Sequence, residues 1–111
     1  MSTFLNFNRE KIYNDIVKLN KKFKFEKIIS KNSVINSDVL IGNGTLVVSG
    51  VVINCGSKIG SHCIINTSSS IDHDNIFDDF SSVGLGVITG GNVKLGKNSF
   101  IGIGSVVNHN I

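Results

Sequence analysis

A histidine followed directly by an aspartate is the pair of residues in this sequence best suited to acid–base chemistry. The run Ile71-Asp72-His73-Asp74 places an imidazole beside a carboxylate. Imidazole titrates near neutral pH, and it works best as a general base when a carboxylate keeps one ring nitrogen protonated. We therefore interpret His73 as a candidate general base and Asp74 as the residue that fixes its tautomer. An ordinary surface histidine is the alternative interpretation, and it stays open at this point.

The residues around this pair follow a repeat of six. Steps of six from Ile35 to Val107 give thirteen positions, of which twelve carry a large apolar side chain and one carries Thr89. The residue after each position is Gly, Asn or Asp in twelve of the thirteen cases, and these residues tolerate turn conformations that other side chains resist. Four residues past each apolar position the side chains are mostly small or β-branched, as at Cys63 and Ser69.

This period predicts a parallel β-helix, an all-β solenoid. Neither helical spacing nor strict alternation fits the pattern, whereas a fixed short period is typical of repeat architectures. Three repeats of six make one triangular coil, so the stretch holds a little over four coils. The large residue of each repeat points inward and stacks about 4.8 Å from its counterpart in the next coil. A β-sandwich with glycine turns is the alternative, but sandwich strands vary in length and do not keep one period.

The repeat places the neighbours of His73 without a structure. Residues eighteen apart occupy equivalent positions in successive coils. One such series is Ser37, Cys55, His73, Gly91 and His109. We therefore expect His73 at an outward position, one coil from Cys55 and one coil from Gly91, where it does not pack into the core.

The first 31 residues differ from the repeats. A helix is predicted over residues 9 to about 22, with Asn8 as its N-cap and Glu10 near the positive end of its dipole. Its apolar stripe must be covered by the solenoid, by another subunit or by a further domain. The stripe consists of Ile12, Tyr13, Ile16, Val17, Leu19 and Phe23. Phe25, Ile28 and Ile29 then predict a short strand or an extended connector.

Charge and composition limit the partners that this chain can have. Residues 1–31 hold Arg9 and seven lysines against three acidic residues, which gives +5, and the remaining residues carry −2. Because the lysines are scattered between apolar positions, they indicate a solvated helix face rather than a nucleic-acid site. No apolar run is long enough to span a membrane, and the start is no signal peptide. We expect a cytoplasmic protein with Cys55 and Cys63 unpaired.

Two blocks of sequence resemble the hexapeptide-repeat acyltransferases of the sialic acid and bacillosamine acetyltransferase type. They are NTSSSIDHD at residues 66–74, and GGNVKLG at residues 90–96 followed by FIG at residues 100–102. The resemblance implies a left-handed coil, a homotrimer, and acetyl-CoA bound in the groove between subunits. It also implies direct acetyl transfer to an amine or hydroxyl of a sugar, commonly a nucleotide-linked amino sugar.

The resemblance also implies a domain organisation. Residues 1–31 would be the last helix and connector of an α/β nucleotide-binding domain, and residues 32–111 would form the β-helix domain. The chain stops at Ile111, inside a coil. This predicts either that oligomerisation covers the last coil or that the protein is a shortened version of a longer one.

The same resemblance assigns roles to individual residues. His73 would remove the proton of the acceptor, Asp74 would orient the ring, and the backbone N–H of Gly91 would face the developing oxyanion. Further contacts to acetyl-CoA are implied for Ser82, where many relatives carry a second histidine, and for Gly84, Gly86, Gly102, Lys94 and Lys97. Ordinary coil turns for the glycines and solvated corners for the lysines are the alternatives.

Two other functions are alternatives to acetyl transfer. A zinc-dependent carbonic anhydrase built on the same coil needs three converging histidines. His62 occupies a different position in its repeat, and His109 lies two coils, about 9.6 Å, from His73. We therefore expect no metal. The second alternative is a non-catalytic trimeric solenoid, either a scaffold or a truncated and inactive acetyltransferase relative.

Overall fold

The computed structural model describes residues 6–21 and 24–111. In these residues one helix, α1, spans Asn6–Leu19 and is followed by strands of two residues each. The strands, β1 to β14 in chain order, are Ile28–Ile29, Val34–Ile35, Leu40–Ile41, Leu46–Val47, Val52–Ile53, Lys58–Ile59, Ile64–Ile65, Ser70–Ile71, Ile76–Phe77, Ser82–Val83, Ile88–Thr89, Lys94–Leu95, Phe100–Ile101 and Val106–Val107. The predicted class, a left-handed parallel β-helix of six-residue repeats preceded by one helix, is confirmed.

The strands form three parallel sheets, one on each face of a triangular coil. Sheet 1 has the order β1-β4-β7-β10-β13, sheet 2 the order β2-β5-β8-β11-β14, and sheet 3 the order β3-β6-β9-β12. Every pairing joins residues eighteen apart, so that Ser82 lies between Ile64 and Phe100. The predicted stacking of residues eighteen apart is therefore confirmed.

The solenoid starts one repeat earlier than Ile35. Strand β1 at Ile28–Ile29 pairs in parallel with β4, and its register continues sheet 1 at the same spacing of eighteen. Of the two alternatives for this stretch, the strand rather than the connector is correct. Phe23, the last residue of the predicted helix stripe, lies outside the described residues.

The core is densest in the middle coils. Inward residues such as Ile53, Ile65 and Phe77 are at most 1% exposed, while Ile41 and Ile101 nearer the two ends are only partly buried. The coil that carries His73 has inward residues among the most deeply buried of the chain, such as Ile71 and Phe77. Its strand β8 pairs with a strand on each side.

Turn geometry corrects one part of the sequence interpretation. From Ile41 onward the left-handed residue lies three positions after the inward apolar residue, not one position after it. Glycine at the earlier position has a different cause, because the backbone of the next coil passes through the space of a Cβ. A Cβ at Gly42 would lie 2.6 Å from the backbone of Ser61, and one at Gly90 would lie 2.8 Å from the backbone nitrogen of His109.

Helix α1 is anchored to one edge of the solenoid by polar contacts. The Arg9 guanidinium donates to the backbone carbonyls of His62 at 2.8 Å and Phe80 at 3.1 Å. The carboxylate of Glu10 pairs with Lys97. The hydrogen bond from Lys97 is the main cause that lowers the pKa of Glu10. These contacts show that helix α1 packs on the solenoid of its own chain.

The bounds of the helix differ from the prediction. It covers Asn6–Leu19, so Asn8 lies inside the helix and its assignment as N-cap is wrong. The apolar stripe is only partly covered, since Tyr13 is half-buried while Leu19 is 88% exposed. No helix among the residues described is long and apolar enough to cross a membrane.

Candidate functional site

The turns between the sheets form three corners that run along the coil axis. The His73 corner joins sheet 2 to sheet 3 and consists of residues 36–39, 54–57, 72–75, 90–93 and 108–111. The His62 corner joins sheet 3 to sheet 1 and consists of residues 42–45, 60–63, 78–81 and 96–99. The glycine corner joins sheet 1 to sheet 2 and consists of residues 30–33, 48–51, 66–69, 84–87 and 102–105.

His73 and Asp74 form an exposed pair at the first of these corners. The ring Nδ1 of His73 lies 3.0 Å from Oδ2 of Asp74, and both side chains are about half exposed. A carboxylate only accepts hydrogen bonds, so Nδ1 carries the proton of the neutral ring and Nε2 keeps a free lone pair. This is the tautomer that a general base needs.

Gly91 lies directly beside the free nitrogen of that ring. A Cβ on Gly91 would meet Nε2 and Cε1 of His73 at separations that real Cβ atoms do not show, and Cδ2 at a tight 3.0 Å. The backbones of the two turns are also joined, because the N–H of Asn92 donates to the carbonyl of His73 at 3.0 Å. The imidazole of His73 therefore occupies the space that a side chain at Gly91 would fill, next to the backbone of Gly91.

The backbone N–H of Gly91 makes no hydrogen bond to any described residue. In the coils on either side, the equivalent N–H groups of His73 and His109 donate to the side chains of Asp72 at 2.8 Å and Asn108 at 3.0 Å. Gly90 has no side chain to accept in the same way. The sequence Gly90-Gly91 thus leaves one amide donor without a partner among the described residues, where the neighbouring turns use theirs internally. Gly91 itself is buried, with the His73 ring against it.

Asp72 holds the turn that carries the histidine. Its carboxylate accepts the backbone N–H of His73 at 2.8 Å and the side-chain amide of Asn54, one coil below, at 3.1 Å. The hydrogen bond from His73 is the main cause that lowers the pKa of Asp72, and the bond from Asn54 acts in the same direction. Asp72 therefore stays ionised and fixes the turn rather than exchanging protons with substrate.

The predicted glycine contacts lie elsewhere on this chain. Gly84 and Gly86 lie in one turn of the glycine corner and Gly102 in the next turn, so sheet 2 separates all three from His73. Gly86 has a positive φ of 63°, as the turn requires at this position whether or not it binds a ligand. A Cβ there would meet no atom within 4 Å. Ser82 lies in β10 of sheet 1 and is 2% exposed.

The two predicted lysines also differ in position. Lys94 is exposed on sheet 3, in the strand that follows the Gly91 turn. Lys97 lies at the His62 corner, where its ammonium pairs with Glu10. One chain thus brings together His73, Asp74 and Gly91, and it leaves the other predicted site residues on other faces.

Two buried polar residues behind the site were missed by the sequence analysis. Asn75 is fully buried and Thr89 is 2% exposed, and the Thr89 hydroxyl donates to Oδ1 of Asn75 at 2.7 Å. The sequence contained the signal, since Thr89 is the one departure from the apolar positions. Asn75 also carries an amide at a position where the repeat prefers small or β-branched side chains.

Metal-binding side chains do not converge in the part of the chain that the structure describes. No group of three His, Cys, Asp or Glu residues there has the geometry to hold an ion. Cys55 is an exposed thiol and Cys63 a buried one, and neither forms a disulfide. Burial is the main cause that raises the pKa of the Cys63 thiol, which makes it a packing residue rather than a nucleophile.

The chain matches no protein-family model, and no curated protein matches its sequence. Among solved structures, it is similar to the acetyltransferase domain of PglB from Neisseria gonorrhoeae FA1090, with 29% identity and a TM-score of 0.86. The match covers 93% of this chain and 49% of that one. The same domain in complex with acetyl coenzyme A gives a TM-score of 0.85 over the same extent.

A second solved protein has the same fold. It is a histidine-to-asparagine variant of the perosamine N-acetyltransferase from Caulobacter crescentus, in complex with CoA and GDP-perosamine. The two share 25% identity with a TM-score of 0.68, over 97% of this chain and 61% of the other. This chain therefore spans about half of the length of the first protein and three-fifths of the second. The predicted resemblance to hexapeptide-repeat sugar acetyltransferases is confirmed.

Proposed function

We propose that this chain forms the β-helix of an acetyltransferase that moves an acetyl group from acetyl-CoA to an amine or hydroxyl of a sugar or nucleotide-linked sugar. The observation that carries the proposal is the arrangement of His73 between Asp74 and Gly91. One nitrogen of the ring is held by a carboxylate, and the other lies beside an amide that no described residue uses. The solved PglB domain with acetyl coenzyme A bound supports the identity of the acetyl donor.

The reaction needs one base and one hydrogen-bond donor. The acceptor attacks the thioester carbonyl carbon while Nε2 of His73 takes the proton from its amine or hydroxyl. Negative charge develops on the carbonyl oxygen, and the Gly91 N–H donates to it; one such donor contributes about 10²–10³ in rate. When the carbon–sulfur bond breaks, the leaving thiolate takes the proton back from the imidazolium of His73. The products are the acetylated sugar and CoA, without an acyl-enzyme.

A homotrimer would complete the site. The outward side chains of sheet 2 include Val34, Ile88 and Val106, which are 66%, 48% and 74% exposed. This column carries no charged residue and borders the His73 corner, so a second copy is its simplest cover. The glycine corner lies at the other edge of the same sheet. Packing of three copies through these faces would bring the glycine corner of one subunit towards the His73 corner of its neighbour.

Acetyl-CoA would then lie in the groove between two subunits. Gly84, Gly86 and Gly102 would line its pantetheine arm, and Ser82 would lie behind them. Lys94 is exposed and is the better placed of the two lysines to meet the phosphates of CoA. Lys97 would have to leave Glu10 first.

A cytoplasmic location is part of the same proposal. Acetyl-CoA is a metabolite of that compartment, and the unpaired Cys55 and Cys63 suit its reducing conditions.

The experiment is acetyl transfer by the full chain to a panel of amino sugars and nucleotide-linked sugars, combined with thermal unfolding in acetyl-CoA. We expect His73→Ala to abolish turnover and the matched variant His109→Ala, at the equivalent position two coils away, to retain it. Turnover that survives His73→Ala would remove the base from the proposal. A chain that neither turns over nor binds acetyl-CoA would instead be the non-catalytic solenoid.

A further inference from the structure

Asn75 connects the His73 turn to the Gly91 turn from inside the coil. Its side-chain Nδ2 lies 3.1 Å from the carbonyl oxygens of Asp72 and His73, and 2.8 Å from that of Gly90. Carbonyl oxygens only accept hydrogen bonds, so the amide must face them with its nitrogen and present its oxygen to the Thr89 hydroxyl. The orientation of this buried side chain is therefore fixed from both ends.

The three carbonyls belong to the peptide groups that position the proposed reacting groups. Those of Asp72 and His73 lie in the two peptide groups that flank the Cα of His73. The carbonyl of Gly90 shares a planar trans peptide group with the N–H of Gly91, so that a carbonyl held inside the coil directs this N–H outward. The Ser57 hydroxyl also donates to the Asp72 carbonyl at 2.9 Å, and the Asn92 N–H to that of His73 at 3.0 Å. What Asn75 adds is the link from these two carbonyls to that of Gly90 in the next coil.

In other coils, a hydroxyl at the equivalent position donates to the carbonyl of the next coil. Thr45 donates to the carbonyl of Gly60 at 2.7 Å and Ser69 to that of Gly84 at 2.9 Å, each fifteen residues ahead. Asn75 has the same relation to Gly90, but its longer side chain also reaches back to two carbonyls of its own turn. A buried amide is costly unless every polar atom finds a partner, and Thr89 supplies the partner that the remaining oxygen needs.

We propose that Asn75 and Thr89 are positioning residues of the acetyltransferase site, and this inference rests on the function proposed above. Neither residue touches substrate. Together they hold the base and the amide donor at a fixed separation, through three carbonyls that a single hydroxyl cannot span. The departure at Thr89 from the apolar repeat is therefore part of the site rather than a fault in the core.

The main test restores the ordinary repeat at both positions. The double variant Asn75→Ser/Thr89→Val carries residue types that other repeats use inside the coil, so we expect it to fold with a Tm no lower than that of wild type. We expect its kcat to fall at least tenfold while KM for acetyl-CoA changes less than twofold, because the substrate contacts remain. A double variant with wild-type kcat would overturn the proposal.

Two single variants separate positioning from core stability. Thr89→Val and Thr45→Val each remove a buried hydroxyl that donates one hydrogen bond, but only Thr89 lies behind the site. The Thr45 hydroxyl also accepts the backbone N–H of Cys63 at 3.0 Å. We expect Thr45→Val to lose at least as much Tm as Thr89→Val, because it breaks two hydrogen bonds rather than one. We expect kcat to fall in Thr89→Val alone and to recover in Thr89→Ser. An equal fall in kcat for the two valine variants would mean that Thr89 acts through stability only.

An NMR measurement on the same chains does not require turnover. We expect the Gly91 amide resonance and the His73 ring signals to shift in Thr89→Val and in the double variant, but not in Thr45→Val. If the shifts occur and wild type shows no acetyl transfer, the proposed function fails while the positioning stands. If wild type is active and these signals do not move, the positioning proposal fails while the function stands.

Discussion

The two histidines at His62 and His73 occupy turns of the same solenoid and have opposite surroundings. His62 stacks on Phe80, one coil above, with ring centroids 4.9 Å apart and planes 9° from parallel. The Tyr13 ring of helix α1 lies 4.4 Å from the imidazole centroid, tilted by 53°, and also contacts Phe80. His73 has Gly91 one coil above it and no ring among the described residues against it. The residue eighteen positions later therefore separates an imidazole that packs against a ring from one that is half exposed beside a glycine.

The electrostatic surroundings differ in the same sense. Burial is the main cause that lowers the pKa of His62, Arg9 acts in the same direction, and Asp79 opposes them. His62 is thus kept neutral within an aromatic cluster. His73 is half exposed and holds a carboxylate at hydrogen-bond distance. A sequence comparison of the two histidines alone would not separate these roles, whereas their neighbours in the next coil do.

The largest effect is expected when Gly91 is given a side chain. Gly91→Ala places a Cβ where the His73 ring lies, so it should displace the base and obstruct the amide. We expect kcat/KM for acetyl transfer to fall by about 10²–10³. Gly96→Ala is the matched control, because its Cβ would meet only the Ser99 hydroxyl at an ordinary 3.6 Å. Full activity in Gly91→Ala would show that the comparison of the two corners does not explain the chemistry.

A second effect is expected at Asp74, the partner that His62 lacks. Asp74→Asn keeps a residue that tolerates the left-handed conformation at φ 56° but removes the charge that fixes the protonated nitrogen. We expect kcat to fall about tenfold to a hundredfold, with a changed pH profile of kcat. Asp38→Asn, at the equivalent position two coils away, should leave both unchanged. An unaltered pH profile in Asp74→Asn would contradict the role of this carboxylate.

The sequence predicted the contacts that follow the repeat and missed those that do not. The stacking of Gly91 on His73 follows directly from the spacing of eighteen, because one period fixes every axial neighbour. The contacts of Arg9 could not be predicted, since helix α1 lies outside the period and reaches carbonyls 53 and 71 residues away. The Asn75–Thr89 hydrogen bond joins positions fourteen apart, so the sequence marks both residues as departures from the repeat but does not predict their contact.

A third effect separates the two histidines by stability. His62→Ala removes the ring that packs against Phe80 and Tyr13, and it places alanine at a φ of 57°. We expect the free energy of unfolding in urea to fall by about 2 kcal/mol. His73→Ala should change it by less than about 0.5 kcal/mol, because that side chain is exposed. Equal losses in the two variants would remove the distinction between a packing histidine and a reactive one.

The smallest effect is the pH dependence of stability that His62 contributes. Because its pKa is lowered in the folded state, the unfolded chain takes up a proton first as pH falls below about 6.5, the ordinary value for histidine. Stability from this group is therefore full above pH 6.5 and is lost between that value and the lower pKa of the folded state. The lowered pKa values of Glu10 and Asp72 act only at more acid pH, so a scan between pH 5 and 7.5 isolates the histidine.

His62→Phe is the variant that tests this assignment. Phe80 already adopts a φ of 61° at the equivalent position one coil above, so a phenyl ring fits the backbone and keeps the stack. We expect the Tm of wild type to fall from pH 7.5 to pH 5 with a steeper slope than that of His62→Phe. The difference should vanish at pH 7.5 apart from a constant offset, because the imidazole is neutral in both states there. Parallel slopes in the two proteins would place the proton uptake on another group and leave the His62 cluster with a packing role only.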